Sequence, residues 1–203
     1  MRWMALSGAA FVAAFVAAVL LFGSGAGREP AEIVAYYASH ADRVRQIAGF
    51  YALGVAGLLL VGFAAVLSST LDAPLVLASG TLTGALLLGA GALWVATAIT
   101  VQHEHGFTLD PNTHLIVEDA GFAFFLAAML AAMAFVAVAS IAILRTHALP
   151  PALGWIGFPV AASLTAAWYY VPLFALLAWV LAASLLLCFR VELPSTEAST
   201  RPR

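Results

Sequence analysis

Histidines and carboxylates concentrate in one short stretch of the chain, VQHEHGFTLDPNTHLIVEDAGF, residues 101–122. Three of the five histidines and four of the ten acidic residues lie in it. Imidazole and carboxylate groups are side chains that bind metal ions and transfer protons near neutral pH. The stretch is therefore the candidate reactive site of the chain.

A metal ion or a haem is the cofactor that His103, His105 and His114 could bind. If a helix begins at Pro111, His114 and Glu118 lie four residues apart on one face, a spacing that lets both contact one ion. No closed motif such as HExxH is present. Solvated or hydrogen-bonded structural histidines, and a pH-sensing role, therefore stay open as alternatives.

The adjacent acids Glu118 and Asp119 are candidates for catalytic acid and base. Neighbouring residues of a helix point about 100° apart, so both carboxylates cannot aim at one atom. Asp119 shares a face with Phe122 and Leu126, which predicts that Asp119 is the inward-facing group. If this part of the helix lies at headgroup level instead, Asp119 only places negative charge near the helix N-terminus.

Composition indicates an integral membrane protein. Hydrophobic residues make up 64% of the chain, charged residues only 9%, and the mean hydropathy is +1.04. Soluble domains carry about a quarter charged residues. The chain has no Lys, and its eight Arg are outnumbered by ten acids, which excludes a basic surface for nucleic acid. Motifs of phosphate-binding loops and serine hydrolases are also missing from the sequence.

Long runs without charge predict an all-α bundle of six transmembrane helices. About 20 apolar residues cross a bilayer. The predicted spans are about 3–25, 46–71, 74–101, 114–144, 152–169 and 172–190. The first run is too long for the apolar part of a typical signal peptide, which favours a retained helix over a cleaved one.

The last two spans come from one uncharged run, Thr146 to Phe189, whose 44 residues would extend about 66 Å as a single helix. That is about two membrane thicknesses, so the run must fold back. The predicted turn is WYYVP, Trp168 to Pro172, because Pro172 disfavours helix before it and the aromatic residues suit the interface.

An even number of spans places both termini on one side of the membrane. Arginines are biased toward the side that holds the termini, which predicts a plasma (inner) membrane protein with cytoplasmic termini. Residues 191–203 are predicted to form a polar cytoplasmic tail.

Residues 30–45 are predicted to form an outer amphipathic helix, with Ile33, Tyr37, His40 and Val44 on one face. Its tyrosines would lie at headgroup level. This helix would be either a lid over a cavity or a connector on the membrane surface.

Two further motifs carry a resemblance. The segment YYASHADR contains a YYxxHxxR pattern and RTHALPPALGW contains an RTxxLPxxLGW pattern. Together with the DPNT and EDAGF segments, they resemble a group of uncharacterised bacterial six-span integral membrane proteins over roughly residues 1–190. The resemblance implies the six-span layout and no particular activity. Members of that group typically lack His103, His105 and His114, which favours a specialised role for these histidines.

Three classes of function are compatible with this sequence. The first is a membrane module that binds a lipid or an apolar small molecule, or that serves as an accessory subunit for a partner membrane protein or a second copy through the glycine-rich third span. The second is a membrane enzyme acting on an isoprenoid or lipid through Asp119 and Glu118, with or without a metal ion or haem. A transporter is disfavoured, because charged residues in mid-membrane and internal repeats are missing from the sequence.

Overall fold

The computed structural model describes residues 5–23, 25–104 and 106–190, and these residues form helices joined by short turns and loops. For these residues the predicted all-α class is confirmed. The helices are α1 Ser7–Phe22, α2 Pro30–Ala38, α3 His40–Leu71, α4 Pro74–His103, α5 Pro111–Thr146, α6 Pro151–Ser163, a 3-10 helix Leu164–Tyr169, and α7 Val171–Arg190. The predicted tail 191–203 and the first residues of the predicted first span lie outside the described residues.

Four of these helices, α3, α4, α5 and α7, are long and apolar enough to cross a membrane. They support the membrane class that the composition indicates. Helix α1 has 16 residues and α6 has 13. The described part of the chain therefore has four helices of full spanning length, whereas six spans were predicted.

The outer side of α3 is strongly exposed and apolar. Tyr51, Val55 and Leu58 follow one another at spacings of four and three residues and are 68%, 52% and 70% exposed. Such a large apolar stripe would be unfavourable in water, but acyl chains match it. This face of α3 therefore fits contact with lipid.

Helix ends follow local signals in the sequence. The Asp110 carboxylate accepts hydrogen bonds from the backbone N–H groups of Asn112 and Thr113, each at 3.2 Å, and Pro111 occupies the first turn. The Thr113 hydroxyl also donates to Asp110, and these bonds lower the pKa of its carboxyl. The predicted start of this helix is confirmed.

The predicted fold-back near Trp168–Pro172 is confirmed. The 3-10 helix ends at Tyr169, Tyr170 adopts a left-handed conformation with φ 57°, and α7 begins at Val171. At the opposite end, His147 to Pro151 share a groove with Leu186 and Phe189, so the start of α6 lies beside the end of α7. These two segments therefore run antiparallel.

The predicted single helix over residues 30–45 is wrong. Helix α2 ends at Ala38, Ser39 is extended, and α3 begins at His40. The Ser39 hydroxyl accepts a hydrogen bond from the backbone N–H of Asp42, which caps the new helix. Because the chain changes direction there, Ile33 and Tyr37 are buried whereas Val44 is 46% exposed, and the predicted common face does not exist.

The bundle is closed where its first and last helices meet. The Ser184 hydroxyl of α7 donates to the Ala5 carbonyl at 2.6 Å and accepts from the Ala9 N–H at 3.1 Å. The bond from Ala9 satisfies one of the N–H groups in the first turn of α1, which have no partner within their own helix. A large apolar core that includes Phe63, Phe135 and Met129 fills the interior.

The glycines of α4 pack inside the chain itself. A Cβ at Gly84 would lie 3.1 Å from the Gly57 carbonyl oxygen of α3 and 3.3 Å from a Val61 methyl group. Close approach of two backbones is the usual role of glycine between membrane helices. The glycine-rich face that the sequence offered for a partner protein is thus occupied by α3 at this point.

We expect Gly84→Ala to lower the unfolding free energy by about 1–3 kcal/mol, because the new methyl group would meet backbone that cannot rotate away. Thermal unfolding of the detergent-purified protein measures this loss. Gly54→Ala is the matched control, since its Cβ would lie 3.5 Å from the Leu88 side chain, an ordinary contact. Equal midpoints for the two variants would contradict the close packing of α3 against α4.

Candidate functional site

A cavity of about 330 Å³ lies inside the helical bundle near the end that α2 covers. Its floor is apolar and is formed by side chains of α1, α3, α4, α5 and α7. The floor residues include Phe15, Leu53, Leu87, Phe125 and Leu173. Four polar side chains line the opposite end, namely Tyr37, Gln46, His114 and Glu118. A cavity with one apolar and one polar end is suited to an amphipathic small molecule.

Aromatic side chains form one wall of the cavity. The ring of Trp94 lies 5.8 Å from the Phe22 ring and 6.0 Å from the Phe125 ring. Gly121 on α5 makes room for this indole, because a Cβ there would lie 2.6 Å from it. The ring of Tyr170, at the turn before α7, lies 5.8 Å from the Phe125 ring at a tilt of 33° and continues the wall. The wall offers flat π surfaces to a bound molecule.

The amide of Gln46 organises the polar end. Its Nε2 donates to the Trp94 carbonyl at 2.9 Å and to the Tyr37 hydroxyl at 3.3 Å. Gln46 is 7% exposed, and its Oε1 is buried without a hydrogen-bond partner among the described residues. An unpaired buried carbonyl is costly, so this oxygen is a ready acceptor for a ligand.

Tyr37 is the second member of the polar end. Burial raises the pKa of its phenol to about 12, so the hydroxyl keeps its proton at physiological pH. Since that oxygen already accepts from Gln46, its own hydrogen points elsewhere. The Tyr37 side chain is 2% exposed and lines the cavity, so it faces the interior of the protein and not the surrounding solvent or lipid.

His114 is held by contacts on two sides. Its Nδ1 lies 3.0 Å from the Thr97 hydroxyl of α4, and its ring makes an edge contact with Tyr37 at 4.9 Å between centroids. The residue is 6% exposed, and its Nε2 has no hydrogen-bond partner in the described part of the chain. The free ring nitrogen is thus aimed away from Thr97.

Glu118 lies one helical turn beyond His114, and the predicted sharing of one helix face is confirmed. The His114 Nε2 and the Glu118 Oε2 are 3.7 Å apart, too far for a good direct hydrogen bond. That carboxylate oxygen is buried and unpaired among the residues described here. A small polar group that contacts both atoms would satisfy them together.

Asp119 does not face inward, which corrects the prediction. Its carboxylate lies 3.3 Å from the Arg28 guanidinium, and the two side chains are 61% and 71% exposed. The neighbouring residue Glu118 faces the centre of the bundle instead and lines the cavity. The carboxylate that can contact a molecule in the cavity is therefore that of Glu118.

The three histidines of the predicted metal site are not brought together by the described residues. His103 is exposed, and its Nδ1 is 2.9 Å from the Ile99 carbonyl of its own helix. His114 is buried beneath α2, and His105 lies outside the described residues. Within the described ranges, groups of three or more His, Cys, Asp or Glu suited to a metal ion are not found.

Helix α2 covers the polar end of the cavity. Its buried residues Ile33 and Tyr37 pack in a small apolar cluster with Val95 and Ala98 of α4. Arg43 of α3 donates to the carbonyls of Tyr37 and Ala38 and, at 2.9 Å, to the Gln102 amide oxygen. A cation at a helix C-terminus satisfies carbonyls that lack partners within the helix. Arg43 therefore fastens α2 to α3 and α4.

Sequence reasoning missed Gln46 and the inward role of Tyr37. Both residues lie outside the histidine-rich stretch, and Gln46 is an uncharged polar residue at the start of an apolar run. That position was the available signal, because an amide at the edge of a membrane helix needs hydrogen-bond partners.

Comparison of the chain with protein-family models, with curated proteins and with solved structures gave no match.

We expect Arg43→Met to loosen α2, since it removes hydrogen bonds from a charged donor worth about 1.5–3 kcal/mol each. Amide hydrogen exchange in residues 30–38 should become at least about tenfold faster, while exchange in the middle of α5 stays unchanged. Hydrogen exchange with mass spectrometry measures both regions.

The matched control is Arg45→Met, which removes a guanidinium two residues away whose ion pair is with Asp42 of its own helix, at 3.2 Å. Its exchange pattern should resemble that of the unaltered protein. Equal effects of the two substitutions would contradict the role given to Arg43.

Proposed function

We propose that this protein binds a lipid or another apolar small molecule inside its helical bundle. The observation that carries the proposal is the cavity of about 330 Å³, whose apolar floor ends in buried polar atoms without partners. Binding pockets for small molecules typically combine an apolar lining with a few placed polar groups. A bound molecule would offset the cost of leaving those polar atoms unpaired.

The rim of the cavity supports a ligand that arrives from the membrane. Val19 of α1 and Phe174 of α7 line the cavity and are also 50% and 69% exposed on the outer surface of the bundle. In a bilayer such an apolar surface faces acyl chains. A molecule dissolved in the membrane therefore reaches the cavity between α1 and α7 without passing through water.

The proposal includes a six-span layout in the plasma membrane with both termini cytoplasmic. Helix α6 and the 3-10 helix after it together rise about 30 Å, which matches the bilayer core. Helix α1 is about 24 Å long over its 16 residues, a mismatch that local thinning of the bilayer accommodates. The resemblance to six-span bacterial proteins and the arginine bias agree with this arrangement.

Filling the cavity should abolish binding. Ala18 of α1 is fully buried and lines the cavity, so Ala18→Phe places a ring in the space that the ligand would occupy. We expect apolar molecules that co-purify with the protein in mild detergent to be lost from this variant. Native mass spectrometry and lipid extraction measure the occupancy.

Ala17→Phe is the matched control, because Ala17 is exposed on the same helix. It should retain the bound molecules. A thermal unfolding transition in both variants shows that each is folded. Retention of the same molecules by a folded Ala18→Phe protein would overturn the proposal.

A second candidate function is acid–base catalysis on a membrane-soluble substrate such as an isoprenoid lipid. The observation that favours it is the His114 and Glu118 pair, whose facing atoms are 3.7 Å apart at the polar end of the cavity. An imidazole and a carboxylate on one substrate could donate and accept a proton in turn. The carboxylate assigned to this role is that of Glu118, with Asp119 outside the cavity.

This second function is tested by incubating the reconstituted protein with a bacterial lipid extract and comparing the lipids by mass spectrometry. A new product should form with the unaltered protein and with Asp119→Asn, but not with Glu118→Gln. An extract that stays unchanged with the unaltered protein, or a product that survives Glu118→Gln, would exclude this carboxylate as the catalytic acid or base.

A further inference from the structure

We infer that the molecule bound in the cavity carries a hydrogen-bond-donating head, an amine or a hydroxyl group, on an apolar body, and that carboxylate and phosphate heads are rejected. The inference rests on the proposed function and names its ligand class. Three features support it: the oxygens of Gln46 and Glu118 that lack partners among the described residues, the charge of Glu118, and the hydrogen of the Tyr37 hydroxyl.

The Gln46 amide has a fixed orientation. Asn and Gln amides can often be rotated so that oxygen and nitrogen exchange places. Here the Trp94 carbonyl can only accept, so the group 2.9 Å from it must be the NH₂ of Gln46. Its Oε1 therefore faces away from Trp94 as an acceptor, buried and unpaired among the described residues. This atom requires a donor from the ligand.

Glu118 adds a second acceptor and a negative charge. Its buried Oε2 also lacks a partner within the described chain. Among the lining residues that the structure describes, Lys and Arg do not occur, and the nearby Arg28 is paired with Asp119 outside the cavity. An anionic head would therefore lie beside the Glu118 carboxylate and the Gln46 oxygen, and among the described lining residues the His114 ring is the one group that could offset its charge. Two negative charges held close together at low dielectric are unfavourable.

Tyr37 distinguishes the two heads that remain. Its oxygen accepts from Gln46, and a bond donated by its own hydrogen to another of the described residues is not found, so this hydrogen can bond an oxygen or nitrogen lone pair of a ligand. An alcohol can donate to Glu118 or Gln46 and accept from Tyr37 at the same time. An ammonium group can only donate, but it gains a charge-assisted bond to the Glu118 carboxylate. Both heads satisfy acceptors that a carboxylate head leaves unpaired.

The test uses three molecules with one tail and different heads, namely decylamine, decanol and decanoic acid. Binding to the protein in lipid nanodiscs is followed by native mass spectrometry and by the rise in unfolding temperature, at a pH that keeps the acid ionised. Folded Ala18→Phe protein supplies the background for partition into the lipid. We expect decylamine or decanol to bind at least about tenfold more tightly than decanoic acid.

The outcomes separate this inference from the proposed function. If decanoic acid binds as tightly as the others and Ala18→Phe abolishes that binding, the head preference is overturned while the binding function stands. If all three molecules partition equally into nanodiscs with Ala18→Phe and with unaltered protein, both are overturned.

Two isosteric substitutions identify the acceptor. Glu118→Gln removes the charge in the cavity and keeps an oxygen acceptor, whereas Asp119→Asn removes a neighbouring charge outside it. We expect Glu118→Gln to weaken decylamine binding about tenfold and to affect decanol much less, with Asp119→Asn changing neither. If the two substitutions weaken decylamine equally, the charge of Glu118 is not what the head contacts. If the cavity binds neither decanol nor decylamine more tightly than decanoic acid, the assignment of the head group fails as a whole.

Discussion

The hydrogen bond from the Gln46 amide to the Trp94 carbonyl is the contact on which the polar end of this protein depends. It joins α3 to α4 inside an apolar bundle, and the second N–H of the same amide joins α3 to Tyr37 of α2. Polar groups in such surroundings are stable only when paired. Because both N–H groups of its amide bind protein acceptors, Gln46 joins three helices, and its oxygen remains available as a hydrogen-bond acceptor for a ligand.

The rest of the site follows from that arrangement. Tyr37, held by Gln46, packs its ring against His114, and His114 in turn contacts Thr97 and lies one turn from Glu118. The polar chain thus runs from α3 through α2 and α5 to α4. Apolar side chains close the other end of the cavity, so a ligand would be oriented by chemistry at one end and by shape at the other.

Much of the architecture could be predicted from residues whose effect is local. The Asp110-Pro111 pair sets the start of α5 because its carboxylate and its ring act within one turn. The reversal at Tyr170 follows from the length of the uncharged run, since a continuous helix would exceed the bilayer. The number of membrane crossings is harder to predict, because α1 and α6 are shorter than a full span and a 3-10 helix extends α6.

The site itself could be predicted only in part. The four-residue spacing of His114 and Glu118 is a property of one helix, and it was correct. Whether Glu118 or Asp119 faces inward depends on how α5 is rotated against its neighbours, chiefly α4 and α6, which no pattern within α5 determines. The prediction that Asp119 faces inward is therefore wrong, and Asp119 lies outside the cavity beside Arg28. Gln46 was missed because its importance arises from partners on two other helices.

The break at Ser39 has a consequence for kinetics. A single helix over residues 30–45 would make the cover of the cavity an extension of α3, so that uncovering the polar end would require bending a membrane helix. Two helices joined at an extended residue separate these events. The cover is then a small unit held by one apolar cluster, by Arg43 and by the contacts of Tyr37 with Gln46 and His114, and such a unit can open at a lower free energy than the bundle unfolds. Exposure of the polar end of the cavity would accordingly be set by motion of α2, and the lifetime of the folded protein by the remaining helices.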